Sequence, residues 1–351
     1  MENQSKVIVK EEKKVDPSNI MQIGMGFWAS KTLLTAVKLE LFTHLANKPL
    51  TGAEIKLALC LNSRGLYDFL DTLVALGFLQ RKGIKETAMY SNSADTDLFL
   101  DKNKASYMGG LLEMANNRLY PFWNFLEEAL KRGTPQNEIR SGEISLFEKI
   151  YSDKDKTREF VNAMGGAQAG NFMAFATKFD FSAYKTLCDI GGAGAQLSAQ
   201  VVTHNPHMRC ITFDLPPVSP IANENISKLG VADRVKVKSG NFFTDPFPKA
   251  DVITMGNILH DWGKYDKTML IRKAYDALPR GGALVVIENI IDNDRRENAF
   301  GLMMSLNMLI ETAEGYDFTA ADFEKWTRDA GFKETSVMKL SGPSSAVIAI
   351  K

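Results

Sequence analysis

Cysteine is scarce in this chain. There are three in 351 residues, Cys60, Cys188 and Cys210, with no CxxC pair. That excludes a scaffold built on disulfides. Cys188 and Cys210 fall in apolar runs that read as buried strands, so reduced thiols of a cytoplasmic protein are expected. An excess of one charge is also lacking. Lys plus Arg and Asp plus Glu both total 42, which removes the broad attraction that nucleic acid or an acidic membrane exerts. No stretch approaches the roughly 18 apolar residues of a membrane helix. Residues 1–17 alternate charged and polar side chains, so neither a signal peptide nor a membrane partner is expected. Histidine is limited to His44, His204, His207 and His260. None has metal-ligand spacing, the His204/His207 pair falls in a surface-like turn, and no metal is expected.

What is present describes a soluble protein of two domains: 45% hydrophobic and 24% charged residues in a chain long enough for two cores. Residues 1–17 read as a mobile tail. Helical periodicity runs from Ser18 to about Ala46 through Phe27, Leu34, Val37, Leu41 and Leu45. Thr51 and Glu54 form a capping box for the next helix. A third helix opens at Asn62-Ser63, carries Leu66, Phe69, Leu70, Leu73 and Leu76, and ends at Gly77. Phe78–Arg81 and Glu86–Tyr90, about a Lys82-Gly83 turn, read as a hairpin. Three helices and a two-stranded wing over 18–105 make a winged-helix pattern. A DNA-reading helix carries several cations. This third helix sets Arg64 against Asp68 and Asp71, so self-association is expected of the domain and nucleic acid is not.

Residues 106–180 read as a helical linking region rich in aromatic residues and methionine. Trp123, Met164, Phe172 and Met173, with Met303 and Met304 later in the chain, are candidate walls of an apolar substrate pocket. From 181 to 351 strands and helices alternate. The strand candidates are Thr186–Ile190, Arg209–Phe213, Val235–Lys238, Asp251–Met255, Ala283–Glu288, Thr335–Met338 and Ala346–Ile350. Only Lys339–Ser345 joins the last two, too short for a parallel crossover, so they are expected to pair antiparallel. The fold class is thus α/β: a Rossmann-like, mostly parallel seven-stranded sheet with one strand reversed.

The first strand runs into Asp189-Ile190-Gly191-Gly192-Ala193-Gly194-Ala195 before helical periodicity resumes at Gln196. Glycine there supplies positive φ and keeps side chains from holding a ligand off the backbone. A dinucleotide fingerprint, G-x-G-x-x-G, fails at Ala193 and Gln196. An acid two residues upstream suits a cationic ligand, and Asp214, ending the second strand, suits a ribose diol. The combination points to S-adenosylmethionine. His260 is the histidine placed at the ligand end of a strand, and histidine is the default base for a phenol or enol acceptor. Glu288 ends the fifth strand on the same sheet edge.

Four stretches then resemble, in order, the motifs of one family. They are Asp189–Ala195, Phe213-Asp214-Leu215-Pro216, Ser239-Gly240-Asn241-Phe242-Phe243 and Ile258-Leu259-His260-Asp261-Trp262. The family is the S-adenosylmethionine-dependent O-methyltransferases of the caffeic acid, hydroxyindole and bacterial secondary-metabolite type, and the resemblance spans about Gly24 to Lys351. It implies an N-terminal winged-helix domain that makes a homodimer, and S-adenosyl-L-homocysteine as product. It implies that Gly191, Gly192 and Ala193 line the methionine part and Asp214 holds the ribose. Leu215, Gly240, Asn241 and Phe242 lie about the adenine, and Asn257 is counted with them. His260 matches the catalytic histidine, Glu288 its orienting acid and Asp317 a second acid, with Glu311 an outside candidate and Asp261 a helix-start or cofactor-side acid. Asn307, within Met303–Met308, matches the substrate-pocket helix and is expected to meet either the acceptor or backbone. Two departures are Ala195, where glycine is usual, and Asn241, where aspartate is usual. N-methylation, a non-methylating cofactor-binding relative and a winged-helix regulator are the alternatives to hydroxyl methylation of a small aromatic or polyketide-like molecule.

Overall fold

The computed structural model describes residues 15–104, 106–140 and 146–351. Most of the tail expected over 1–17 therefore lies outside the described residues. The chain divides into two compact units after residue 105. Among the described residues no helix is long and apolar enough to cross a membrane.

In the first unit the helix expected over Ser18–Ala46 is broken into Ser18–Gly24, Gly26–Lys38 and Leu41–His44. Gly24 and Gly26 flank the first break, where two poor helix formers weaken the ladder. Glu40, left-handed at φ 57°, makes the second. The capping box forms as expected: Thr51 Oγ1 accepts from Glu54 N–H, and Glu54 accepts from Thr51 N–H at 2.7 Å. Strands β1 (Leu50–Thr51), β2 (Leu79–Lys82) and β3 (Met89–Asn92) form an antiparallel sheet in the order β1-β3-β2. The wing's second strand thus begins three residues later than expected, because Lys85–Thr87 is a 3-10 turn. Ile20, Ile23, Phe27 and Trp28 leave large apolar side chains exposed on the first two helices.

In the second unit the apolar segment from Ser106 is not one helix. Gly109–Met114 passes into a wide π-turn at Ala115–Leu119 and a 3-10 turn at Trp123–Phe125 before Leu126–Arg132. Pro121 explains the irregularity: it has no N–H to donate, and its ring crowds the carbonyl four residues back, so the ladder widens there. The long helix Lys154–Lys178 starts on an Asp153 N-cap.

The sheet holds β4 (Thr186–Ile190), β5 (Arg209–Asp214), β6 (Val235–Ser239), β7 (Val252–Gly256), β8 (Ala283–Glu288), β9 (Glu334–Lys339) and β10 (Ser345–Ile350). Their order is β6-β5-β4-β7-β8-β10-β9. β10 runs antiparallel to both β8 and β9, and the other pairings are parallel. This is the seven-stranded sheet with one reversed strand that the short Lys339–Ser345 link required. Alternate residues feed two apolar layers. Cys188 and Ile190 face Leu270, Ile271, Phe323 and Trp326, while Leu187 faces Leu197, Val201, Ile226 and, from the Lys154–Lys178 helix, Phe175. The direction of winding reverses at β4 and β7, so a crevice opens beyond their carboxyl ends. Asp189, Asp214, Asn257 and Glu288 all stand at or just past that edge.

Candidate active site

The turn after β4 is built around two acids, Asp189 buried and Asp214 half-buried. Asp189 is 3% exposed and accepts from Thr254 Oγ1 at 2.7 Å. Burial raises its pKa to about 7 against that bond, and the Asp214 charge adds to the rise. Asp214 Oδ2 accepts from Ala193 N–H at 2.8 Å and Oδ1 from Leu215 N–H at 2.7 Å. Burial again prevails over those two donors and raises its pKa to about 6. Gly191 takes φ 67°. At Gly192 a Cβ would stand 2.2 Å from Thr212 Oγ1 and 2.8 Å from Asp189 Oδ2. The glycine at 192 is thus demanded by the packing of the turn on its own strands, rather than by clearance for a ligand. The unexpected Ala195 is left-handed at φ 64° and fully buried among the apolar side chains behind the turn. Its methyl group is a core contact.

These residues fit S-adenosylmethionine on three counts. Asp189 is a buried acid with only a hydroxyl donor, so a cationic ligand would relieve its desolvation. Among the described residues, Thr212 Oγ1, on the neighbouring strand, is buried without a partner. Each Asp214 oxygen keeps a lone pair for a ribose hydroxyl. Gly240 N–H donates to the Asp214 carbonyl at 2.9 Å, fixing the third loop against the second. Asn241 Oδ1 accepts from Phe243 N–H at 2.9 Å, an Asx turn, so part of its accepting capacity is already used within its own loop. Lys273 Nζ braces the same loop through the carbonyls of Phe242 and Asp245, at 2.5 and 2.7 Å. Asn257 sits left-handed at φ 52° directly after β7.

His260 is 5% exposed, on the 3-10 turn Leu259–Asp261. Its Nδ1 lies 3.5 Å from Glu288 Oε2 and 3.5 Å from Asp317 Oδ1, while Nε2 lies 3.6 Å from Asp261 Oδ1. His260 N–H also donates to Glu288 Oε1 at 3.3 Å. One nitrogen or oxygen atom from each of His260, Glu288 and Asp317 lies within 4.8 Å of the others, close enough for their charges to act strongly on one another, although His260 Nδ1, Glu288 Oε2 and both Asp317 oxygens make no hydrogen bond among the described residues. Burial alone would lower the imidazole pKa, but Glu288, Asp261 and Asp317 outweigh it and raise it to about 10. The imidazole in turn limits the rise that burial imposes on Glu288 and Asp261. Gly315 permits the cluster, since a Cβ there would stand 2.6 Å from the His260 carbonyl and 2.8 Å from that of Asp261. The Asp317 N–H donates to Ser305 Oγ at 3.1 Å, tying this loop to the Ala299–Glu311 helix.

On that helix Asn307 is buried, and its Oδ1 accepts from Trp123 Nε1 at 2.8 Å. Neither backbone nor acceptor was needed to explain that oxygen: two candidate pocket residues hold each other. Glu311, one turn on, is paired with Arg118 from the π-turn, and its backbone carbonyl accepts from Asn137 Nδ2 at 2.9 Å. Phe172 stands near Gly256, 3.7 Å from where a Cβ would be. Met164 and Met304 are half-buried, whereas Met173 and Met303 are 51% and 50% exposed. An aromatic group escaped the sequence reading. Phe147 lies 5.9 Å and Phe243 4.6 Å from Trp262, ring to ring, and Tyr151 lies 6.2 Å from Phe160. Burial, with the charges of Asp214 and Asp261, raises the Tyr151 pKa well above its usual value, so this phenol feels both the second-strand acid and the turn that carries His260. A run of aromatics at helical spacing gives no sign of that placement.

A reversed-strand sheet of this order, an acid-and-glycine turn after its first strand and a buried histidine held by carboxylates define a class I methyltransferase. The chain belongs to the O-methyltransferases: the O-methyltransferase domain matches residues 123–333, and the O-methyltransferase dimerisation domain matches residues 21–102. It is 40% identical over 335 residues to the tetracenomycin polyketide synthesis 8-O-methyl transferase TcmO of Streptomyces glaucescens, covering 95% of this chain and 97% of that one. With the N,N-dimethyltransferase OxyT of Streptomyces rimosus it shares 30% identity over 315 residues, 90% of each chain. The solved structure of human N-acetylserotonin methyltransferase in complex with SAM superposes with a TM-score of 0.89 at 27% identity, covering 97% of this chain and 99% of that one. This chain is an S-adenosylmethionine-dependent O-methyltransferase.

Proposed function

We propose that the enzyme methylates a hydroxyl of a small aromatic or polyketide-like compound, with His260 as the base that takes the acceptor proton. The observation that carries this reading is the Nδ1 of a buried histidine 3.5 Å from each of two buried carboxylates, Glu288 and Asp317. Carboxylates beside Nδ1 stabilise the imidazolium that forms, and Nε2, which faces Asp261 Oδ1 at 3.6 Å, is the nitrogen that meets an acceptor hydroxyl. S-adenosylmethionine, when bound, supplies a methyl group on a sulfonium, which needs alignment more than covalent help. Asp189, Asp214 and the turn between them would hold it. A base as strong as His260 is matched to a phenol, whose ordinary pKa is also about 10, so proton transfer between them costs little.

The aromatic and polyketide character of the acceptor is supported by the apolar walls about Trp123 and Phe172 and by the polyketide named for TcmO. His260→Gln is expected to abolish methylation while S-adenosylhomocysteine binding by isothermal titration persists. The OxyT likeness supports a second reading, transfer to nitrogen. A basic amine loses no essential proton to a base before attack, so that reading expects His260→Gln to keep most of its rate on an amine acceptor. The dimerisation domain and the exposed Ile20, Ile23 and Trp28 support a homodimer. The buried, unpaired thiols of Cys188 and Cys210 support a cytoplasmic location.

A further inference from the structure

Lys267 lies in the first turn of the Lys264–Ala277 helix and is 0% exposed. A lysine is almost never wholly buried unless its donors are satisfied. Here Nζ donates to the Trp262 carbonyl at 2.7 Å and the Tyr316 carbonyl at 2.8 Å, and it stands 3.2 Å from the centre of the Tyr316 ring. Two carbonyls and a ring face account for its three N–H groups, so Lys267 does not reach an acceptor. The identity of the carbonyls is what matters. Trp262 follows Asp261, and Tyr316 precedes Asp317. The ammonium therefore clamps together the two loops whose carboxylates face His260.

Its charge also falls among acids from every neighbouring element. Burial lowers its pKa to about 8, against Glu288 from β8, Asp317 from the loop, Asp261 from the 3-10 turn and Asp322 from the Ala320–Ala330 helix, all of which favour the ammonium. His260 faces Glu288, Asp261 and Asp317, and Glu311 and Lys267 act in turn on Asp261. Three carboxylates around one imidazole hold a proton tightly, and a base that cannot release its proton is useless for the next turnover.

We propose that Lys267 is a positioning residue of the catalytic cluster, clamping the Asp261 and Asp317 loops and offsetting enough of their negative charge for His260 to act as a base. This rests on the reading of His260 as the base. Below about pH 8, where Lys267 is charged, removing the ammonium leaves the carboxylates uncompensated, so the imidazole should give up its proton less readily there. The sign is fixed by Coulomb's law, since a cation always disfavours a second cation nearby.

The chain has four histidines, so isotope labelling of histidine rings gives a simple NMR spectrum in which the signal lost on His260→Gln is that of His260. Titrations of the full-length protein saturated with S-adenosylhomocysteine then compare wild type with Lys267→Met and Lys267→Gln. Lys267 loses its own proton near pH 8, before His260 titrates near 10, so in both variants the His260 midpoint is expected to stay while kcat/KM on a phenolic acceptor at pH 7 falls by on the order of tenfold, the fall vanishing above about pH 9. Circular dichroism shows whether each variant is folded. If the methionine variant is not, the glutamine variant, which keeps a neutral donor for one carbonyl, carries the comparison. An unchanged rate at pH 7 in a folded variant, a loss that persists above about pH 9, or a loss confined to the methionine variant, overturns the role of the charge. Failure of the base reading looks different, because His260→Gln would then keep its turnover whatever the Lys267 variants do.

Discussion

At the scale of single residues, the site is governed by burial of charge. Asp189 and Asp214 make one set of acids, Asp261 and Glu288 another about His260, and each of these five groups titrates away from its ordinary value. For His260 the folded pKa, about 10, lies above the unfolded 6.5. Its contribution to stability is therefore complete below pH 6.5 and is lost as pH rises toward 10. The rate should follow the opposite course, because only the neutral ring accepts a proton. In a pH profile of kcat/KM, the wild-type rate is expected to climb across pH 7–10. Glu288→Gln removes one acid and should move that limb down by about one unit. A limb that stays in place in Glu288→Gln would show that Glu288 does not act on His260. Asp189 gives a second titration. Its pKa near 7 means that a cationic ligand binds better once it ionises. The affinity for S-adenosylhomocysteine should rise up to about tenfold from pH 6 to pH 8. Asp189→Asn should flatten that dependence, and a dependence retained by Asp189→Asn would assign it to another group.

Elements bring these residues together by different means, and that decides how much could be read in advance. The sheet was legible because its information is local. Most of the strands are short apolar runs, and the length of the Lys339–Ser345 link dictates that β10 runs against β9. The acids at strand ends were legible for the same reason, since a residue closing a strand shares an edge with the others. Helix breaks were not. The hydrophobic period continues through Met25 and through Pro121, where backbone chemistry interrupts it, and a period-based reading sees one helix each time. Side-chain pairing across long separations was equally hidden: Trp123 and Asn307 are both candidate pocket residues, but nothing in the sequence says that one donates to the other. Their bond joins the 3-10 turn to the Ala299–Glu311 helix. Trp123→Phe keeps the ring and removes the donor, at a cost of roughly 1–3 kcal/mol for the buried oxygen left unpaired. The acceptor KM should rise several-fold while the pH limb stays put, because the change lies off the proton-transfer cluster. Unaltered kinetics would place Asn307 outside the acceptor's path.

For the whole molecule, the bulk balance of charge and the missing apolar runs narrowed the field correctly but weakly. The family followed from four motifs in order, which no single motif would have supported. The reason for the glycine at 192 and the place of the Ala195 methyl came only with coordinates, since both depend on what packs behind the turn. Dimerisation belongs to this scale too. Light scattering on the full chain should give twice the 39.0 kDa of one copy, and a monomer would leave the exposed Ile20, Ile23 and Trp28 to another partner. The central claim is that a histidine held by two carboxylates removes the acceptor proton. It is tested most directly with His260→Gln, by pairing calorimetric binding of S-adenosylhomocysteine with mass-spectrometric detection of methylated products from a panel of hydroxylated naphthalenes and anthracenes. The account predicts a dissociation constant within about threefold of wild type and methylation slowed by ~10²–10⁴. Methylation within tenfold of the wild-type rate on a phenolic acceptor, with cofactor binding intact, would contradict it.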